Sequence, residues 1–246
     1  MIPKIIHYAW FGSEIPDSIQ IRVNSWKEQL PDWKFMFWNE KNFDISSFTF
    51  SSEMYRTKNW GFIADELRYS VVNKYGGFYL DTDMIIKKSL NPLLNNHMVW
   101  GFLYDNSIAT GFFGSEPNQE LLSDILKMYR DEKYHSIYTE IRSMTSNPII
   151  SKLFLEKYNS FKTNGKKQII EPGIVIYPRD YFTYNSRNSD ANFAEHLFDN
   201  SWGEKNRGVY GFTKYEFKKL FPYLWAQISA YRGIKSAEAD GVPLQH

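Results

Sequence analysis

The stretch 62–84, FIADELRYSVVNKYGGFYLDTDM, limits the possible folds of this chain more than any other. Phe62, Ile63, Leu67, Val71, Val72 and Tyr75 recur at helical spacing, and Gly76-Gly77 supplies the positive-φ residue that ends a helix. Phe78-Tyr79-Leu80 then reads as a short apolar strand covered on both faces. A strand of that kind needs a layer on each side, which points to an α/β sheet. At its end the polarity reverses to Asp81-Thr82-Asp83. If the backbone stays extended, Asp81 and Asp83 share one side and Thr82 takes the other. Two carboxylates held that close repel each other, and a hard divalent cation is the usual remedy.

The alternation extends in both directions. Ile5 to Phe11 reads as a first strand, followed by a loop over Gly12 to Pro16. Ile19, Val23, Trp26 and Leu30 mark a helix closed by Pro31, and Lys34 to Trp38 forms a second strand. Downstream, Met98 to Leu103 and Ile108 to Gly114 are strands, with a helix over 117–130. Another helix opens at Pro148, and Ile169 to Tyr177 is a strand interrupted at Pro172-Gly173. Tyr181 to Asn192 reads as a polar loop. In the aromatic and basic segment 215–235, Pro222 should break or kink the helix. The expected architecture is a mixed, mainly parallel sheet flanked by helices, with a C-terminal helical and loop addition. Residues 1–235 are expected to form one domain and 236–246 a flexible tail. Ligands of such sheets bind at the carboxyl ends of strands, where Asp81 and Asp83 lie.

Composition removes several functions. The formal net charge of +1, with acidic and basic residues intermixed, gives no electrostatic footprint for nucleic acid. With no cysteine there is neither a disulfide nor a thiol nucleophile. The N-terminal segment lacks the small-residue cleavage site of a signal peptide, and the longest apolar runs fall short of a membrane span. Cytoplasmic residence is the expectation. The 17 Tyr, 19 Phe and 8 Trp are numerous enough both to fill a core and to stack on sugars or bases.

A lone D-x-D is weak evidence, so its surroundings decide its meaning. The pattern D-x-x-R-Y over 65–69, then G-G-x-Y-x-D-x-D over 76–83, resembles the donor-site signature of glycosyltransferase family 32, the DXD sugar transferases. It is also similar to the glucosylating domains of large bacterial cytotoxins. The opening P-K-I-I-H-x-x-W, together with His196 followed by Ser201-Trp202, resembles that family's edges, so the likeness spans most of the chain. The resemblance implies a GT-A fold with a Rossmann-like sheet, and a metal-dependent transferase that retains anomeric configuration.

Carried over position by position, the resemblance makes Asp81, Asp83 and Arg68 the catalytic group. Asp83 would bind Mn²⁺ or Mg²⁺ directly, with Asp81 on the metal, its water, or the donor. Asp65 and Arg68 would hold donor hydroxyls, Trp10 would stack on the nucleobase, and Tyr79 and Asn39 would lie near the nucleotide. His196 or Ser201 would complete the metal site, and Trp202 would meet the diphosphate. Spacing alone leaves other readings open. Asp65 and Arg68, three apart on a helix, can share a pocket or simply pair with each other. Trp10 can be core, Ser201-Trp202 can be a surface loop, and His7 suits a structural hydrogen bond. Asn106 and Thr110 are nominated for the sugar and acceptor side. Where relatives often carry Gly-Pro after a Thr, this chain has Thr145-Ser146-Asn147-Pro148, so acceptor geometry does not carry over.

The expected partners are a nucleotide-sugar donor, UDP-hexose or UDP-N-acetylhexosamine ahead of GDP-mannose, and a hydroxyl acceptor such as a lipid-linked oligosaccharide. Synthesis of bacterial cell-surface polysaccharide at the inner face of the membrane would suit such an enzyme. Peripheral membrane contact through residues 215–232 is one reading of that segment, and a packed helix pair is the other. A nucleotidyltransferase would need a Gly-rich phosphate loop where Gly12 stands alone. A glycoside hydrolase would need two carboxylates across a cleft, for which Glu116 and Glu171 are the nearest candidates. A carbohydrate-binding module would need neither Asp81 nor Asp83.

Overall fold

The computed structural model of the chain describes residues 1–130, 145–199, 213 and 216–246. Its ten strands are β1 (Ile5–Ala9), β2 (Lys34–Trp38), β3 (Gly77–Leu80), β4 (Met84–Ile86), β5 (Met98–Tyr104), β6 (Ser107–Ile108), β7 (Phe112–Ser115), β8 (Gln168–Glu171), β9 (Ile174–Tyr177) and β10 (Ala194–His196). The main sheet runs β2-β1-β3-β7-β5-β9-β8, with β6 paired to β5, while β10 and β4 form a separate two-stranded sheet. β1 is parallel to β2 and β3, and β5 is parallel to β9. β7 runs antiparallel to both β3 and β5, which makes those two parallel to each other; β8 is also reversed. The sheet is therefore mixed and mainly parallel, as the alternating pattern predicts.

Both faces are covered. On one, α2 (Thr49–Arg56), α3 (Trp60–Tyr75), α4 (Glu120–Arg130) and α5 (Ser146–Lys157) pack over Tyr79, Trp100 and Phe113. On the other, α1 (Asp17–Gln29) and the short α6 (Arg179–Phe182) cover Phe78, Phe112 and Val99. Successive residues of β3 and β7 thus feed opposite cores, the signature of a strand buried on both sides. Trp100 stacks on Phe113 with centroids 4.5 Å apart, and Phe112 stacks on Phe182 at 4.3 Å. Burying each large apolar side chain contributes about 1.5–3 kcal/mol, so these paired layers carry much of the stability.

Helix α3 ends at Gly76, whose φ of 65° is the left-handed cap expected there. Three other expectations change. Asp81-Thr82-Asp83 is a turn closed by Met84 N–H donating to Asp81 O at 3.0 Å, so β4 leaves the main sheet. The Ile108 to Gly114 strand is split, because Thr110 and Gly111 bend toward that turn between β6 and β7. Pro222 opens the last helix, α7 (Pro222–Ala239), at a position where its missing N–H costs nothing.

The segment 236–246, expected as a tail, continues α7 and then folds back. Val242 is fully buried, its carbonyl accepts from Asn106 Nδ2 at 2.8 Å, and Gln245 N–H donates to Thr163 O. No helix among the described residues is long and apolar enough to cross a membrane.

Candidate active site

A cleft of about 630 Å³ opens where β1, β3 and the β6–β7 bend finish. Asp81 and Asp83 both reach it, though through the turn rather than through strand alternation. Asp81 N–H donates to Gly111 O at 2.8 Å. Gly111 is held there by space as well, since a Cβ on it would lie 2.5 Å from Asp81 Oδ2. The Asp83 main chain accepts from Leu197 N–H, and its Oδ2 from Asp199 N–H at 3.1 Å. β10 pairs with β4 and thereby brings His196 beside the turn, its Nε2 3.5 Å from Asp83 Oδ1.

The donor set of Asp81, Asp83 and His196 fits a divalent cation, because their ligand atoms all lie within 4.8 Å of one another. Carboxylate oxygens with an imidazole suit a borderline ion such as Mn²⁺ as well as Mg²⁺. One detail of the imidazole matters. His196 Nδ1 accepts from Phe198 N–H at 3.0 Å, which puts the proton of the neutral ring on Nε2, toward Asp83. Binding a cation through Nε2 therefore calls for the other tautomer, with the proton on Nδ1 and the Phe198 N–H contact given up.

Arg68 is nearly saturated by protein. Its Nε donates to Ala64 O at 3.0 Å and its Nη1 to Thr110 O at 2.7 Å. Its Nη2 pairs with Asp65 at 2.9 Å and Asp81 at 3.4 Å. Burial alone would lower the Arg68 pKa, but Asp81 and Asp65 hold it well above the usual value. Its guanidinium lies 5.0 Å over the Tyr79 ring. Burial first, then Asp81, raises the Tyr79 hydroxyl, which hydrogen-bonds that carboxylate. The internal Asp65–Arg68 pair is thus formed inside the cleft lining, with Asp81 the more distant partner of the same nitrogen.

Trp10 lines the cleft beyond β1, its Nε1 donating to Ser13 Oγ at 3.1 Å, next to Trp60 and Phe62. Thr110 lines it too. Asn39 does not line the cleft: it organises the turn after β2, its Oδ1 accepting from Lys41 N–H. Asn106 is also removed from the cleft, because its amide is spent on Ile234 O and Val242 O. Ser201 and Trp202 lie outside the described residues. His7 has the structural role expected, with Nε2 on Gly76 O at 2.9 Å and Nδ1 accepting from Trp38 Nε1. Burial lowers its pKa to about 4. Glu116 is tied to His97 and the N-terminal amine, and neither it nor Glu171 lines the cleft.

Three participants escape a reading of the sequence. Asn147 Oδ1 accepts from both the backbone N–H and the hydroxyl of Thr110, each at 3.0 Å, and so holds the residue whose carbonyl receives Arg68. Ser146 Oγ bridges Thr110 Oγ1 and Asp65. On α1, Arg22 donates to Thr82 O at 2.6 Å and pairs with Asp199 at 2.8 Å, bracing the acidic turn from behind. The one available signal was Ser146-Asn147 ahead of Pro148 at a helix start.

A mainly parallel α/β sheet thus brings a carboxylate turn, an arginine-paired aspartate and a lateral histidine to one cleft. Residues 16–100, less than half of the chain, match the family described as "Glycosyltransferase sugar-binding region containing DXD motif". Mannosyl phosphorylinositol ceramide synthase CSH1 of Saccharomyces cerevisiae is 24% identical over 80% of this chain and 56% of its own length. Inositol phosphoceramide mannosyltransferase 1 of Schizosaccharomyces pombe is 34% identical over 38% of this chain and 32% of its own. The chain thus spans about half, or less, of these relatives. The solved structure of PaToxG glycosyltransferase superposes with a TM-score of 0.45 at 14% identity, over 63% of this chain and 70% of that one.

Proposed function

We propose that this protein transfers a hexose from a nucleotide-sugar donor to a hydroxyl acceptor, and that it needs a divalent cation to do so. The observation that carries this reading is the convergence of Asp81, Asp83 and His196 at the mouth of one cleft. A cation held there supplies charge neutralisation for the departing diphosphate. The chain's own part is positional: Arg68 and Tyr79 orient Asp81, and the backbone N–H of Asp199 and the carbonyl of Asp83 set the turn against β10. Trp10 offers a flat face at the cleft edge, which suits a nucleobase.

Among the described residues, the acidic groups lining the cleft are Asp65, Asp81 and Asp83. Asp65 and Asp81 pair with Arg68, and Asp83 serves the cation, which leaves no carboxylate for a covalent sugar intermediate. This speaks against a double displacement and supports direct attack by the acceptor on the anomeric carbon. It also speaks against a hydrolase, which needs two carboxylates across the scissile bond.

The printed activities of the yeast relatives make mannose the leading donor sugar, with GDP-mannose ahead of UDP-hexoses. They also favour an acceptor hydroxyl on a lipid headgroup, met at a membrane surface. The test is a panel of GDP- and UDP-sugars with Mn²⁺ or Mg²⁺, reading nucleoside diphosphate release. Release should stop with chelator and fall about 100-fold or more in Asp83→Ala at unchanged melting temperature. Undiminished release by Asp83→Ala sinks the proposal, and formation of nucleoside triphosphate from the sugar nucleotide when pyrophosphate is added would indicate a nucleotidyltransferase.

A further inference from the structure

Helix α7 is inverted relative to an ordinary surface helix. The side packed on the domain carries Ala226, Ala230, Gly233 and Ala237, all buried. The fit is close: a Cβ on Gly233 would lie 2.1 Å from the Tyr104 ring. The large apolar residues point the other way. Leu220 and Phe221, just before α7, and Leu224 in its first turn are 67%, 53% and 52% exposed, and Tyr231, one helical repeat beyond Leu224, is 65% exposed. Single exposed apolar residues need no explanation, but three within five positions form a patch. Water gains nothing from such an arrangement, whereas an apolar partner does.

The rim of the patch is basic. Lys219 and Arg232 are exposed on the same segment, and Arg187 lies 5.0 Å over the Tyr223 ring. The patch also adjoins the cleft. α7 packs against Tyr104 and Tyr184, while Lys218 Nζ donates to Leu197 O at 2.5 Å, next to Phe198. Tyr104 and Phe198 both line the cleft mouth.

We infer that the Leu220–Tyr231 face docks on an anionic lipid bilayer. Apolar side chains at its centre enter the interface, and the basic rim engages acidic headgroups. This orientation sets the cleft mouth beside the surface, where a headgroup hydroxyl could reach it. The docking rests on the helix itself; only its purpose rests on the lipid-acceptor reading above.

The test is sedimentation of the full chain with vesicles of phosphatidylcholine, with and without phosphatidylserine. Binding should need phosphatidylserine, weaken with salt, and fall roughly ten-fold or more in Phe221→Ser/Leu224→Ser. Lys219→Gln/Arg232→Gln should lose the phosphatidylserine and salt dependence. Donor turnover without vesicles should stay unchanged in both double variants, which separates docking from the transfer reaction. The inference is overturned if neither vesicle is bound, if Phe221→Ser/Leu224→Ser binds as the parent does, or if that variant only dissolves a dimer of this chain.

Discussion

The two sides of the cleft are built differently. The acidic side comes from nearly continuous chain, α3 through the Asp81–Asp83 turn, and its members hold one another through buried pairs. The rest of the lining is gathered from residues 103–104, 145–147, 183, 196 and 198, and is tied in by long-range bonds such as Thr183 Oγ1 to Phe102 O and Ser146 Oγ to Asp65. On the proposed function, the contiguous, charge-locked wall is where diphosphate and cation would be held. On the same proposal, the wall assembled from distant segments is where a difference in acceptor would be accommodated.

The largest effect should come from the locked side. Arg68→Ala leaves Asp65 and Asp81 facing each other with no cation between them, and should cost about 3–5 kcal/mol in chemical denaturation besides abolishing turnover. If it costs no more than a surface change, the acidic side is not the rigid one. His7, under the same side, should give a pH signature. Its folded pKa of about 4 lies below the unfolded value, so the unfolded chain binds the extra proton between them. Stability is therefore full above pH ~6.5 and falls by ~3 kcal/mol as pH drops to ~4. Denaturant midpoints in that window should flatten in His7→Gln; an unchanged slope would remove His7 from the account.

Arg22 joins the two sides, since it holds Thr82 O and Asp199 together. Arg22→Ala should weaken Mn²⁺ binding about 10- to 100-fold by calorimetry, while saturating metal restores most of the turnover. Equal metal affinity in the variant would show that the turn stands unaided. On the assembled side, Asn147→Ala should destabilise by only about 1 kcal/mol and raise the KM for donor more than it lowers kcat. A loss as large as that of Arg68→Ala would erase the distinction.

The same contrast explains what could be read from the chain. Helix α3, strand β3 and the acidic pair follow from local period and polarity, and β2 ends where its apolar run ends. The Asp81–Asp83 pair is legible but its geometry is not: a turn rather than strand alternation aims the two side chains, with Gly111 packed against Asp81. Asn106, nominated from the sequence for the sugar and acceptor side, donates its amide to residues more than a hundred positions away, which no local pattern announces. Asn147, Ser146 and Arg22 act through long-range contacts with no local pattern to announce them. Asn39 followed a family pattern whose position here serves only the turn after β2.

The folded-back C-terminal segment has a practical consequence for anyone shortening this chain. Deleting 236–246 as a disposable extension would strip Asn106 of its Val242 acceptor and Thr163 of both Pro243 and Gln245, while exposing the pocket that holds Val242. Each buried polar group so orphaned costs about 1–3 kcal/mol. A truncated expression product would be expected to precipitate or be degraded, whatever the state of its cleft.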